Sequence, residues 1–224
     1  MIEHRSSVAV IGGTGALGNG LAWRLARAGH TVIIGSRSAE KAQHAAAEME
    51  TGDGTPPVRG MDNAAAAAAA EIVLVTVPYA NHAAILAEIR DASQGKILIN
   101  ASVPLAPPDI AAVWMPPEGS AAQASQRILG DRVSVVSAFQ NVAARKLKKD
   151  GVIDCDILVC ADQKTARATV IALIESIGMR ALDAGPLANA VAAEALTPVL
   201  ININRNYKIA GAGIRITGVP KPGA

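Results

Sequence analysis

From Ser7 onward the chain alternates two textures: short runs apolar at nearly every position, and longer stretches whose apolar residues return at helical spacing. "SVAVIG", "HTVIIGS", "EIVLVTVP", "KILINAS" and "RVSVVSAF" are the runs. A strand that is apolar on both faces must be covered on both faces, and a parallel sheet flanked by helices provides that. Helices are expected over Ala16–Ala28, closed by Gly29, and from Ser38, a hydroxyl N-cap. Others are expected over the alanine run capped by Asp62 or Asn63, after Pro78, and up to Gly130. A short strand is expected near Val58, and the proline-rich stretch 103–120 reads as irregular. Two strand–helix pairs follow, "DILVCAD" with "KTARATVIALIESIG" and "MRALDAG" with "NAVAAEALTPVLININRN". Pro198 is expected to bend or interrupt the last helix. "KIAGAGIRITG" reads as a terminal strand and "VPKPGA" as a loose tail. The fold class is α/β, a doubly wound parallel sheet with a small C-terminal extension.

Behind the first run stands a glycine-rich turn, in which Gly13, Gly15 and Gly18 satisfy G-x-G-x-x-G. The spacing has a physical reason: a tight turn, close approach of a diphosphate to bare main chain, and close packing of helix on strand. The helix that opens there adds unpaired N–H groups and a positive dipole end. Thr14, Ala16 and Leu17 complete the turn. At the end of the second strand an NAD site offers a carboxylate to the ribose hydroxyls. This chain has Ser36 there, followed by Arg37. A hydroxyl and a guanidinium instead bind a 2′-phosphate through charge-assisted hydrogen bonds, and Ser38 and Lys41 extend the cradle. The nucleotide expected is therefore NADP(H). Residues 1–143 are expected to form the NADP-binding domain of Rossmann type. Residues 144–224 are expected to complete the sheet and an acceptor cleft.

Other classes find no support in the sequence. The net charge is +2, with 21 basic and 19 acidic residues, which provides no nucleic-acid footprint. No apolar stretch is long enough for a membrane span, and the first residues do not read as a secretory signal, so a cytoplasmic location is expected. Cys155 and Cys160 differ by five positions, point to opposite faces of a strand, and read as buried thiols. Neither a metal cluster nor a Ser-His-Asp arrangement is evident. There is no Tyr-x-x-x-Lys pair of the kind alcohol dehydrogenases use.

In an open parallel sheet the ligand lies beyond the carboxyl ends of the strands. Thr76, Val77 and Pro78 are therefore expected beside the nicotinamide half. Val103, Gln140 and Asn141 are candidates for the acceptor pocket, with Asn141 also suited to capping a helix. His82 is a further candidate, although a lone histidine at a helix start is more often solvated or a cap. His4, His30 and His44 read as surface positions. The basic run Arg145 to Lys149 reads as a solvated face, or as a lure for an acidic substrate tail. Hydride transfer asks the protein chiefly for orientation in a water-poor cleft, and amides with small apolar side chains suit that task.

Four segments, "VAVIGGTGALGNGLAWRLARAGHTVIIGSRSAEKA", "VTVPY", "VSAFQNVAAR" and "LDAGPLANAVAAEALTPVLININ", cover most of the chain. In this order they resemble the NADPH-dependent reductases of the deazaflavin coenzyme F420. The resemblance implies hydride transfer between NADPH and the deazaflavin, stacked face to face. It implies that Gly13 to Leu17 hold the pyrophosphate, that Ser36 and Arg37 hold the 2′-phosphate, and that the protein is a homodimer. Gln140 stands where some members carry histidine or asparagine. Two alternatives stay open at this point: a reductase of another small acceptor (a flavin, a quinone-like ring, an imine or a ketone), and a non-enzymatic NADP(H)-binding redox sensor. Replacing Arg37 by alanine is expected to weaken NADPH binding far more than NADH binding. Equal losses in parallel titrations would rule out a 2′-phosphate role for Arg37.

Overall fold

The computed structural model of the chain describes residues 5–52, 54–149, 151–209 and 211–219. His4 and residues 220–224 of the tail lie outside these. Six parallel strands form the main sheet: β1 (Ser7–Ile11), β2 (Thr31–Ser36), β3 (Arg59–Asp62), β4 (Ile72–Val75), β5 (Ile97–Asn100) and β6 (Ser134–Ser137). Their order is β3-β2-β1-β4-β5-β6. The chain runs outward from β1 in one direction and then, after β3, crosses to β4 on the other side. The carboxyl ends of β1 and β4 therefore flank the switch point where such sheets leave a crevice.

The doubly apolar strands have a direct explanation. Val8 and Val10 of β1 and Val32 and Ile34 of β2 pack on one side, against Leu21 and Leu25 of α1 (Ala16–Arg27). Ala9, Ile11 and Ile33 face the other side. There they meet Ala66 and Ala67 of α3 (Asn63–Ala68) and Ile85, Leu86 and Ile89 of α4 (Tyr79–Ile89). The helix α2 (Ala39–Ala47) is capped by Ser38, whose side chain accepts from the Lys41 N–H, and α3 is capped by Asp62. Ser120 caps α5 (Ala121–Leu129), and Gly29 takes a left-handed φ of 85° just past α1. These caps satisfy helix-end groups that would otherwise lack partners.

The C-terminal part departs from expectation in three ways. First, β7 (Asp156–Val159) and β8 (Arg180–Asp183) do not extend the main sheet; they form a separate parallel pair. Contact with the main sheet is one antiparallel bridge, in which Ser137 and Cys160 exchange N–H···O bonds of 2.8 and 3.1 Å. The chain leaves β6 through Phe139, whose φ of 73° is left-handed and turns it out of the strand direction. Second, the expected terminal strand is not a strand among the described residues 211–219. Asp156 explains this. Its N–H donates to Ile214 O, but the next bond, from the Ile216 N–H, goes to its carboxylate, so no main-chain ladder propagates. Third, α7 (Ala190–Asn206) runs through Pro198 without interruption. The last helix before it, α6 (Lys164–Ser176), packs Val170, Leu173 and Ile174 into the same core as α1.

Two buried polar residues join distant parts of the chain. His30, expected at the surface, is 3% exposed at the start of β2. Its Nδ1 accepts from the Ser6 N–H, which leaves the proton on Nε2, 2.8 Å from Ser176 Oγ of α6. Arg24 of α1 is also buried. Its guanidinium donates to Leu147 O at 2.8 Å, Lys149 O at 2.7 Å, Gly151 O at 3.3 Å and Ile177 O at 3.0 Å. Replacing Arg24 by methionine keeps the stem but strands these carbonyls, at a cost of about 2–4 kcal/mol. The melting temperature is expected to fall by roughly 5–15 °C. A shift below about 2 °C would show that the four bonds contribute little.

Candidate functional site

The glycine turn is held by its own main chain. Gly12 N–H donates to Gly35 O, Gly13 N–H to Val10 O and Gly15 N–H to Gly12 O, at 2.9–3.1 Å. The left-handed residue is Gly12, with φ 82°, not Gly13 as the spacing implies. Gly13 is needed for another reason: a Cβ there would lie 2.8 Å from Val10 O. At Gly18 a Cβ would meet Thr76 Oγ1, and would stand 2.7 Å from Gly12 O and 2.9 Å from Gly13 Cα. The missing side chain therefore lets α1 begin directly against the ends of β1 and β4. Gly15 is the N-cap of α1, so the N–H groups of Ala16, Leu17 and Gly18 form its open first turn.

Beside this turn lies a cleft of about 170 Å³. The glycine turn lines it with Gly12, Thr14 and Gly15, β2 with Ser36 and Arg37, and the end of β4 with Thr76, Val77 and Pro78. These expected residues are thus brought together. Asn63, Asn81 and Ile85 line it too and were missed by the sequence reading. Arg37 is exposed, so its guanidinium is available to an anion at the cleft mouth. Ser38 and Lys41 stand next to it at the start of α2, Lys41 exposed. Thr76 Oγ1 donates to Ile11 O at 3.0 Å, clamping β4 to β1 rather than reaching outward. A turn with open amides, a hydroxyl, a guanidinium and an apolar wall could hold a phosphorylated dinucleotide.

The acceptor candidates have different fates. His82 is neither solvated nor a cap; it is 2% exposed. Its Nε2 lies 2.9 Å from Asn100 Oδ1 and 3.0 Å from Ser125 Oγ. Asn100 uses its Nδ2 to donate to Ser102 O, so its Oδ1 accepts and His82 carries the proton on Nε2. Burial holds the His82 pKa below the ordinary value, partly offset by the bond to Asn100. The ring is neutral at pH 7, with its proton committed to the protein. Both Nε2 protons of Gln140 are committed too, to Asn100 O at 2.8 Å and Ser137 Oγ at 2.9 Å. Asn141 caps no helix; its Nδ2 donates to Ala193 O and Thr197 Oγ1 of α7. Val103 is half-buried at the start of the proline-rich segment. Across that segment Trp114, 44% exposed, meets the Tyr79 ring edge-on at 5.9 Å, and Tyr79 stacks on His82 at 5.5 Å.

The basic run sits elsewhere on the rim. Arg145 and Lys148 line a second, larger cavity of about 640 Å³ with Thr14, Gly15, Ala16 and Asn19. Among the described residues no group of three or more His, Cys, Asp or Glu side chains is placed to hold a metal ion. No described helix is long and apolar enough to cross a membrane.

Glu194 of α7 is fully buried, and its carboxylate accepts from the Ala121 and Ala122 N–H groups at 2.6 and 3.0 Å, at the start of α5. Burial pushes its pKa up to about 7, against the pull of the two amides. A carboxyl whose pKa is raised on folding contributes stability below its unfolded value and loses it as pH rises through the folded one. Between pH 5 and 8 the stability of the wild type relative to Glu194→Gln is therefore expected to fall, by about 3 kcal/mol at most. Denaturant melts at both pH values test this, and a constant difference would refute it.

The geometry agrees with the kinships of the chain. Residues 7–104 match the family described as NADP oxidoreductase coenzyme F420-dependent. The F420-dependent NADP reductase of Methanothermobacter marburgensis is 43% identical, over 96% of this chain and 99% of that protein. The one from Methanocaldococcus jannaschii is 39% identical, over 95% and 98%. Among solved structures, the Sinorhizobium meliloti protein SMa0349 superposes with a TM-score of 0.69 at 22% identity, over 83% of this chain and 87% of that one. With a glycine turn, a Ser–Arg pair and likeness along nearly its whole length, the chain belongs to the F420-dependent NADP reductase family.

Proposed function

We propose that this chain transfers hydride between NADP(H) and the deazaflavin coenzyme F420. The observation that carries the reading is the near-full-length likeness to the Methanothermobacter marburgensis reductase, whose name states both partners. The nicotinamide, when bound, supplies the carbon that gives or takes the hydride. The residues of the chain do the rest. The main chain from Gly13 to Gly18 holds the diphosphate, and Ser36 and Arg37, with Ser38 and Lys41 at the rim, hold the 2′-phosphate. Thr76, Val77 and Pro78 wall the cleft and exclude water.

His82, Gln140 and Asn141 act one layer back. They fix the strand ends and α7, on which Val103, Tyr79 and Trp114 face the acceptor. No acid is required in contact with the substrates, because the deazaflavin ring takes hydride at carbon and its protons exchange with solvent. The half-exposed face of Trp114 offers a flat apolar surface to a ring system.

A homodimer is part of the reading. Val191 and Val199 are exposed on one side of α7, and Tyr207 is exposed just beyond it, a stripe that a second copy would cover. The two free, buried thiols suit the reducing cytoplasm.

Protein, NADPH and oxidised F420 mixed without oxygen should bleach the deazaflavin absorbance, with NADPH consumed in equal amount. NADPH binding without any bleaching would overturn the acceptor assignment. Light scattering of the same preparation should report twice the chain mass, and a single-chain mass would remove the dimer.

A further inference from the structure

We infer that Asn63 reads the adenine base of the nucleotide, taking a hydrogen bond from its exocyclic amine. The inference rests on the NADP(H) reading above. Asn63 is the residue after β3, and Ser36 pairs with Asp62 across the β2–β3 register, so Asn63 stands beside the expected 2′-phosphate residues. The side chain is 2% exposed and forms part of the cleft wall.

Its carboxamide has one committed end. Nδ2 donates to Glu88 Oε2 of α4 at 3.3 Å. A carboxylate only accepts, so the nitrogen must face it and the oxygen must be the other end. That oxygen, Oδ1, has no hydrogen-bond partner among the described residues. An acceptor left unpaired inside a protein calls for an explanation, and a missing ligand is one. The ligand must then bring a donor.

The rest of the slot indicates what carries the donor. Pro78 and Ile85 line the same cleft, so the pocket presents apolar surface together with an acceptor. A flat heterocycle with a donor on its edge fits that combination. Adenine has an amine at C6; hypoxanthine and guanine carry an oxygen there, which would set acceptor against acceptor. The anchoring of Nδ2 by Glu88 prevents the amide from turning over to suit them.

The test compares NADPH with its deamino analogue, in which hypoxanthine replaces adenine. Both are titrated into the protein without any acceptor, following the fluorescence of the bound reduced nicotinamide. Wild type should bind NADPH about tenfold more tightly or better. In Asn63→Leu the two affinities should converge, mainly through loss of NADPH affinity. Equal binding of the two nucleotides by wild type would overturn the inference while leaving the NADP(H) reading intact. That comparison needs no variant, so it decides even if Asn63→Leu folds poorly. A preference that persists undiminished in a folded Asn63→Leu protein would also overturn it. Failure of NADPH itself to bind would remove both readings.

Discussion

Contact between bare main-chain segments at Gly18 is the constraint on which the rest of the architecture depends. With no side chain there, the first turn of α1 settles against Gly12, Gly13 and Thr76. The main-chain turn of β1, the end of β4 and the helix start then share one small volume. The hydroxyl of Thr76, bonded back to Ile11, keeps β4 from drifting away. Everything that makes the cleft, from Ser36 and Arg37 on one side to Pro78 on the other, takes its position from this contact. An added methyl group could not be absorbed by rotamer change, because two of the three nearest atoms are main chain.

The polar interior has a different purpose on the acceptor side. Asn100 at the end of β5 is the hub: His82, Gln140 and Ser102 all bond to it. A network with its donors spent on protein acceptors is rigid, and its members have no proton to give. This fits chemistry in which a cofactor supplies the reactive atom and the protein holds two rings in place. Glu194 and Asn141 extend the same support to α7 and α5, which would otherwise meet over polar helix ends.

How much of this was legible beforehand follows from distance along the chain. The glycine turn, the Ser36–Arg37 pair and the Ser38 and Asp62 caps are encoded by neighbours a few residues apart, and local spacing reveals them. His82 finds its partners 18 and 43 residues away, and Arg24 finds its own beyond 120. Nothing in the local pattern distinguishes such residues from surface ones, so a buried histidine reads as solvated and a structural arginine goes unnoticed. The orphaned oxygen of Asn63 is invisible for the same reason, since the capping preference of asparagine already explains its place after a strand. The terminal segment misleads in the opposite sense. Its alternating pattern is that of a strand, but the Asp156 side chain occupies the place of a main-chain partner.

The guanidinium of Arg24 has a bearing on evolution by modular exchange. Its carbonyl acceptors lie between Leu147 and Ile177, outside the nucleotide-holding first half. A chain cut after residue 143 would keep the charge buried and forfeit every one of those acceptors. The first half is therefore not a portable cassette that could be grafted onto a foreign partner unchanged. A shuffled descendant would have to replace this arginine before the graft could persist.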